Sequence, residues 1–198
     1  MSKPDDPLLD PNDNGTPLSP EEREGLKLTH ITLRRDLNEA EQQNILTATT
    51  WAFSRRRDVL SVDFLRGLHR RMLGDVWRWA GAYRQTAKNI GIEAWQIPSE
   101  LKKLVDDVRY WVDNGTYPAD EIAARFHFRL VWIHPFPNGN GRWGRLAADL
   151  LINRLGQPPL TWGNGNLIDA GQLRMTYINA LKSADANDFQ PLIRFIRS

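Results

Sequence analysis

The sequence predicts a mainly α-helical fold with one short β-hairpin, on three observations. Apolar residues recur at helical spacing through most segments. Ser, Asp or Pro stands where those segments start, and Gly or Pro where they end. Only Trp79 to Pro98 reads as strand material. At 198 residues, 41% hydrophobic and 25% charged, the chain can bury one real core. No apolar run is long enough to span a bilayer, so no membrane partner is expected. No secretory signal precedes the fold, and the cytoplasm is the expected location. The absence of cysteine excludes disulfides, thiolate metal sites and cysteine nucleophiles.

The elements follow in order. MSKPDDPLLDPNDNGTPL is rich in Asp, Pro and Asn and reads as a flexible acidic leader over residues 1–18, ahead of one domain over 19–198 that begins with a helical arm. SPEEREG has Ser19 at an N-cap position and Pro20 at the first helical position, which predicts a short helix. RRDLNEAEQQNILTATTWAF carries Leu37, Ala40, Ile45, Ala48, Trp51 and Ala52 near helical spacing behind Asp36 and Glu39, which resemble a capping box. SVDFLRGLHRRML puts Phe64, Leu65, Leu68 and Met72 on one face before Gly74.

WAGAYRQTAKNIGIEAWQIP, broken by Asn89 and Gly91, is the predicted hairpin or extended flap. SELKKLVDDVRYWVDNG is a helix stopped by Gly115, and PADEIAARFHFRLVWIHPF a strongly apolar one stopped by Pro135. GRWGRLAADLLINRLG, DAGQLRMTYINALKSA and DFQPLIRFIRS supply three more helices.

The net charge of +2 hides an asymmetry: residues 1–25 hold seven acidic and two basic side chains, leaving 24 basic and 17 acidic for the rest. A basic body favours anionic ligands.

The stretch HPFPNGNGRWGR, His134 to Arg145, joins two of the helices. Gly139 and Gly141 let the backbone turn its N–H groups toward one point at a helix start, and both those amides and the helix dipole favour phosphate oxygens. Arg142 and Arg145 lie one turn apart and add charged donors. His134, with its near-neutral intrinsic pKa, suits removal of a proton from a hydroxyl. Phe136 reads as the anchor between them.

This stretch closely resembles the signature of the Fic family, His-Pro-Phe-x-(Asp/Glu)-Gly-Asn-Gly-Arg-x-x-Arg, matching eleven of twelve positions with the free ones counted. Similarity extends over roughly residues 50–197, and the chain looks most like the subgroup named mobile mystery protein B. The resemblance implies a Fic-type helical bundle with a hairpin flap that transfers AMP from ATP, with Mg²⁺, to a Ser, Thr or Tyr hydroxyl of a target protein. It implies His134 as general base and Asn138, Gly139, Asn140, Gly141, Arg142 and Arg145 as the ATP phosphate site. Lys88, Asn89, Ile90, Gly91 and Ile92 become the flap that docks the target as an added strand. A helix-turn-helix regulatory partner is also implied.

One position departs from the pattern. Asn138 stands where the family has Asp or Glu to hold Mg²⁺, and a carboxamide supplies an oxygen without the negative charge. The alternative is therefore a nucleotide-binding regulatory protein with weak or lost transferase activity.

Many family members carry an inhibitory glutamate that pairs with the last arginine of the signature. SPEEREG offers Glu24 for that pairing with Arg145, although the spacing from Ser19 is one residue too long and Pro20 takes the expected Ser/Thr place. A solvated acidic helix is the other reading of this segment.

Other features read as structural. His127, two helical turns before His134, is expected to pack or to bond to the loop, and WGNGN at 162–166 to form a turn. Trp51, Trp77, Trp79, Trp111 and Trp132 are expected in the core. The runs RRR at 55–57 and HRR at 69–71 read as solvated faces, and nucleic acid is not an expected partner.

Overall fold

The computed structural model describes residues 18–165, 167 and 171–198. The leader lies outside them except for Leu18, which is buried, as do Asn166 and residues 168–170 around the expected turn and the start of the following helix. Among the described residues the chain forms eight α-helices: α1 Pro20–Arg23, α2 Arg34–Phe53, α3 Val62–Leu73, α4 Ile97–Asn114, α5 Ala119–Ile133, α6 Asn140–Arg154, α7 Gln172–Asp185 and α8 Gln190–Ile196. None is long and apolar enough to cross a membrane.

Local chemistry sets the ends. The Ser19 hydroxyl accepts from the Glu22 N–H while the Glu22 carboxylate accepts from the Ser19 N–H, a complete capping box that lets the four-residue α1 exist. Ser61 caps α3 through the Phe64 N–H, and Gly115 closes α4 in the left-handed region. The helix α2 starts ahead of the expected cap, at Arg34, and has no side-chain cap.

Two cores meet at α5 and α6. The helices α2, α3 and α4 pack around one side, enclosing Leu65, Leu68, Met72, Leu101, Phe126, Leu130 and Trp143. The pair α7 and α8 closes the other side over Phe128, Ile152, Leu192 and Phe195. Buried on both faces, α5 and α6 show no clean apolar stripe. Their two ends at His134 and Asn140 are thereby held in the middle of the molecule.

The expected hairpin flap is absent. Between Trp79 and Glu93 the described chain forms turns and extended backbone without a strand pair, then a 3-10 turn at Ala94–Gln96 leads into α4. The one bridge among the described residues joins Leu26 to Trp77. Arg84 explains the difference. Its guanidinium donates to the carbonyls of Thr86 (2.9 Å) and Ile92, at either end of the flap, so these groups are satisfied by one side chain rather than by a ladder.

Most of the expected core tryptophans are packed, but Trp132 is partly exposed under the Arg129 guanidinium, 4.2 Å away. The RRR run is not simply solvated: Arg57 lies 3.7 Å over the Trp51 ring, donates to the Trp51 carbonyl at the end of α2, and faces Arg71 across the ring. Around it lies a cavity of about 410 Å³, lined by Arg55, Arg56 and Arg154, at the opposite end of α6 from His134.

Candidate functional site

The loop from His134 to Gly139 is held by its own polar groups. The side chain of Asn140, 2% exposed, accepts from the Phe136 N–H (2.9 Å) and donates to the Phe136 carbonyl (2.8 Å), closing a ring inside the protein. The carboxamide is consumed within the loop, which leaves the backbone amide of Asn140 as the group it can offer a phosphate. Phe136 is fully buried and stacks on His69 at 3.7 Å.

His69, counted at the sequence level with a basic surface run, is fully buried. Its Nδ1 accepts from the Gly81 N–H (3.0 Å), so Nε2 carries the proton and donates to the Asn138 carbonyl (3.0 Å). Burial pushes its pKa down to about 3, and it acts as a neutral strut under the loop.

Gly139 is the N-cap of α6 with φ +80°, and a Cβ there would lie 2.6 Å from Leu73 Cδ1. The amides of Asn140, Gly141 and Arg142 precede the first helical hydrogen bond, which runs from the Trp143 N–H to the Gly139 carbonyl (2.9 Å). The Gly139 amide itself is taken by Asn138 Oδ1 at 2.5 Å, so its assignment to phosphate is corrected. That same bond turns the Asn138 oxygen onto the backbone. Among the described residues no three His, Asp or Glu gather as a metal site. The residues present therefore do not fit a resident Mg²⁺, and Asn138 is not assigned as its ligand.

His134 caps α5 in the left-handed region, φ +52° and ψ +60°. Its Nδ1 lies 3.3 Å from the Val131 carbonyl, which can only accept, so the proton sits on Nδ1 and Nε2 is the basic nitrogen. The side chain is 4% exposed. Burial lowers its pKa to about 4, against the opposing Val131 hydrogen bond and with help from the charges of Arg84 and Lys88. The imidazole is thus neutral at pH 7, as a base must be.

The flap lies directly on His134. A Cβ at Gly91, φ +98°, would come 2.6 Å from the Cβ of His134, so only glycine permits the contact. Arg84, also buried, donates through Nε to the His134 carbonyl at 2.7 Å, and its N–H donates to the Pro135 carbonyl at 2.9 Å. One side chain therefore ties both ends of the flap to the base. Lys88 forms an ion pair with Glu22 of α1, while Asn89, Ile90 and Ile92 complete the flap, with Ile90 exposed.

The two arginines have different partners. Arg142 Nη2 meets Glu41 Oε2 of α2 at 2.7 Å, and Glu41 Oε1 accepts from Trp77 Nε1 at 2.6 Å. Arg145 lies beside Tyr177 of α7, its guanidinium carbon 5.8 Å from the centroid of that ring. The expected pairing of Glu24 with Arg145 is not formed: Glu24 is the exposed C-cap of α1, and its carbonyl accepts from Arg78. Glu41 was legible in principle. It falls in the buried stripe Leu37, Glu41, Asn44, Ala48, Ala52, where two polar residues among apolar ones mark a functional or structural contact.

The three buried histidines give a pH prediction. His69 and His127 titrate at about 3 and His134 at about 4 in the folded chain, against 6.5 when unfolded. As the pH falls below 6.5 the unfolded chain takes up protons that the folded chain refuses, so stability present above 6.5 is lost progressively down to about 3. Asp149 works the other way: burial raises it to about 6, so the folded chain binds that proton first and offsets one histidine. The net loss near pH 5 is expected at about 2 to 3 kcal/mol per pH unit. Urea titrations at pH 7, 6 and 5 measure it; a flat profile refutes the buried neutral state.

Comparison with known proteins decides the family. Residues 59–152 match the Fic/DOC family model, a span that contains α3, the flap, α4, α5, the loop and nearly all of α6. The chain contains a Fic domain. Its sequence is 37% identical over 134 residues to the protein adenylyltransferase Fic of Drosophila grimshawi, covering 65% of this chain and 26% of that protein. Fic-1 of C. elegans has the same fold, with a TM-score of 0.59 and 28% identity over 79% of this chain and 47% of that one. BepC of Bartonella tribocorum, solved with bound AMPPNP, superposes with a TM-score of 0.68 at 20% identity over 90% of this chain and 97% of that chain. The chain spans about a quarter to a third of the length of the adenylyltransferases it matches. Glu41 of α2 and Tyr177 of α7 lie outside the Fic/DOC span, on either side of it, while Trp77 lies within it.

Proposed function

We propose that this Fic domain is a protein adenylyltransferase that moves AMP from ATP to a Ser, Thr or Tyr hydroxyl of a target protein. The observation that carries the reading is the neutral His134, with Nε2 as its basic nitrogen, at the start of the loop that leads into the N-terminal amides of α6. Similarity to proteins named as adenylyltransferases supports it. In the reaction the target oxygen attacks the α-phosphorus of ATP, its proton passes to His134 Nε2, and the bond to the β-phosphate bridging oxygen breaks to release diphosphate. The amides of Asn140, Gly141 and Arg142 and the guanidinium groups of Arg142 and Arg145 are assigned to the phosphates, where fixed donors neutralise charge without reorganising. Mg²⁺ would travel with the nucleotide as Mg–ATP, held by phosphate oxygens and water rather than by a carboxylate of this chain. The flap, Lys88 to Ile92, is assigned to the target backbone and must lift from His134 for a hydroxyl to reach Nε2.

Asn138 favours a second reading, nucleotide binding without transfer. One experiment separates the two. Intact-mass analysis after incubation with Mg–ATP, alone and with lysate proteins, is expected to show a gain of one adenylyl group on this chain or on a target. Binding by calorimetry with no mass gain on any protein supports the second reading instead.

A further inference from the structure

We infer that the cavity of about 410 Å³ between the C-terminal ends of α2 and α6 is a binding site for an organic phosphate, a dianionic phosphate ester on a flat apolar body. The site is independent of the AMP-transfer reading. Arg55, Arg56 and Arg57 precede the Fic/DOC span at 59–152 and Arg154 follows it, so the cavity forms where the two ends of that span meet and takes its charges from outside it. The helix α6 begins at the amides of the loop and ends at Arg154, roughly 20 Å away at about 1.5 Å per residue.

Four arginines line the cavity, and no acidic residue among the described ones does. Asp58 stands at its edge with both oxygens taken: Oδ1 accepts from Arg154 Nη1 at 2.8 Å and Oδ2 from Arg109 Nη2 at 2.6 Å. Arg57 is pinned in place. Its guanidinium lies 3.7 Å from the Trp51 ring centroid, with that of Arg71 at 4.0 Å, and its Nη2 donates to the Trp51 carbonyl at 3.0 Å. Its Nε is buried and has no acceptor among the described residues, a donor left over where an acceptor belongs. Charge counts against a purely structural role for the cluster. The C-terminal ends of α2 and α6 carry about half a negative charge each. Together with Asp58 they offset about two of the four guanidinium charges, and about two remain for a ligand.

Size and lining choose the class of ligand. The volume suits a small molecule, since ligand pockets run from about 300 to 1,000 Å³. Guanidinium forks match the oxygens of a phosphate group. Phe53, 43% exposed, and Leu150 supply apolar surface against which a ring can lie. Nucleic acid would call for charges spread along a groove, whereas these four line one cavity.

Calorimetry with phenyl phosphate on the full chain tests this, in the wild type and in Arg55→Ser/Arg56→Ser, whose two side chains are exposed and leave no hole in the core. The double substitution is expected to weaken binding about tenfold. Inorganic phosphate, which has no ring, is expected to bind the wild type about tenfold more weakly than phenyl phosphate. Amide exchange locates the ligand, with slower exchange expected over residues 53–59 and none over 138–146. Equal affinity of the wild type and the double variant, protection confined to 138–146, or equal affinity for the two phosphates overturns the assignment and leaves the AMP-transfer reading standing. AMP in place of phenyl phosphate identifies the source: tighter binding that the double substitution removes marks a nucleotide, and weaker binding marks a smaller aromatic phosphate. A single-stranded oligonucleotide that binds through Arg55 and Arg56 while phenyl phosphate does not bind overturns the assignment in favour of a nucleic-acid face.

Discussion

Replacing His134 by alanine is expected to slow AMP transfer by about a hundred- to ten-thousandfold while leaving ATP affinity within about threefold of wild type. The separation follows from the loop. The phosphate donors are the α6 amides and two guanidinium groups, whereas the imidazole is assigned to the proton. With Nδ1 protonated toward the Val131 carbonyl, Nε2 is the basic nitrogen of the ring, and alanine removes it. Label incorporation from ATP measures the rate, and calorimetry measures the affinity. A transfer rate that survives the substitution removes His134 from the mechanism.

The pH profile of the wild type adds a second reading of the same residue. With the flap down, as in the free enzyme, burial sets the His134 pKa at about 4, so the acidic limb of kcat/KM should fall near pH 4 and kcat/KM should be level around neutrality. A limb near 6.5 would mean that the working ring is hydrated, with the flap lifted.

Arg84→Ala is expected to destabilise the protein by about 3 to 5 kcal/mol, the range seen when one partner of a buried charged contact is removed. Three carbonyls, of His134, Thr86 and Ile92, lose their donor at once. At this chain length the loss corresponds to a fall in Tm of roughly 10 °C. Arg84→Lys should rescue little of it, because a single ammonium cannot span three carbonyls set around a planar fork. Thermal melting reads the stability, and amide exchange over Thr86–Ile92 reads the release of the flap. Unchanged exchange there in Arg84→Ala refutes the role of Arg84 as the tie between flap and base.

Several parts of this site were legible because they are local. HPFPNGNGRWGR places base, anchor, turn glycines and arginines within twelve consecutive residues, and each follows from backbone or side-chain chemistry that needs no distant partner. The capping box of α1 and the glycine stop of α4 are legible for the same reason. The hairpin was misread because Asn89 and Gly91 look like turn residues; Gly91 serves instead as a close approach to His134. Glu24 stands beside a glycine in the sequence, whereas Glu41, the carboxylate that meets Arg142, sits 101 positions from it. His69 was hidden inside a basic run because two flanking arginines suggest solvent.

By itself the sequence determined the helices, their caps and the chemical content of the loop, since hydrophobic period, capping and turn chemistry act over a few neighbouring residues. Which polar groups stand behind that loop was decided only by the tertiary structure. His69, Arg84, Glu41 and Tyr177 come from four separate segments, and each finds its partner because a buried donor or acceptor must be satisfied by whatever the packed helices bring within reach.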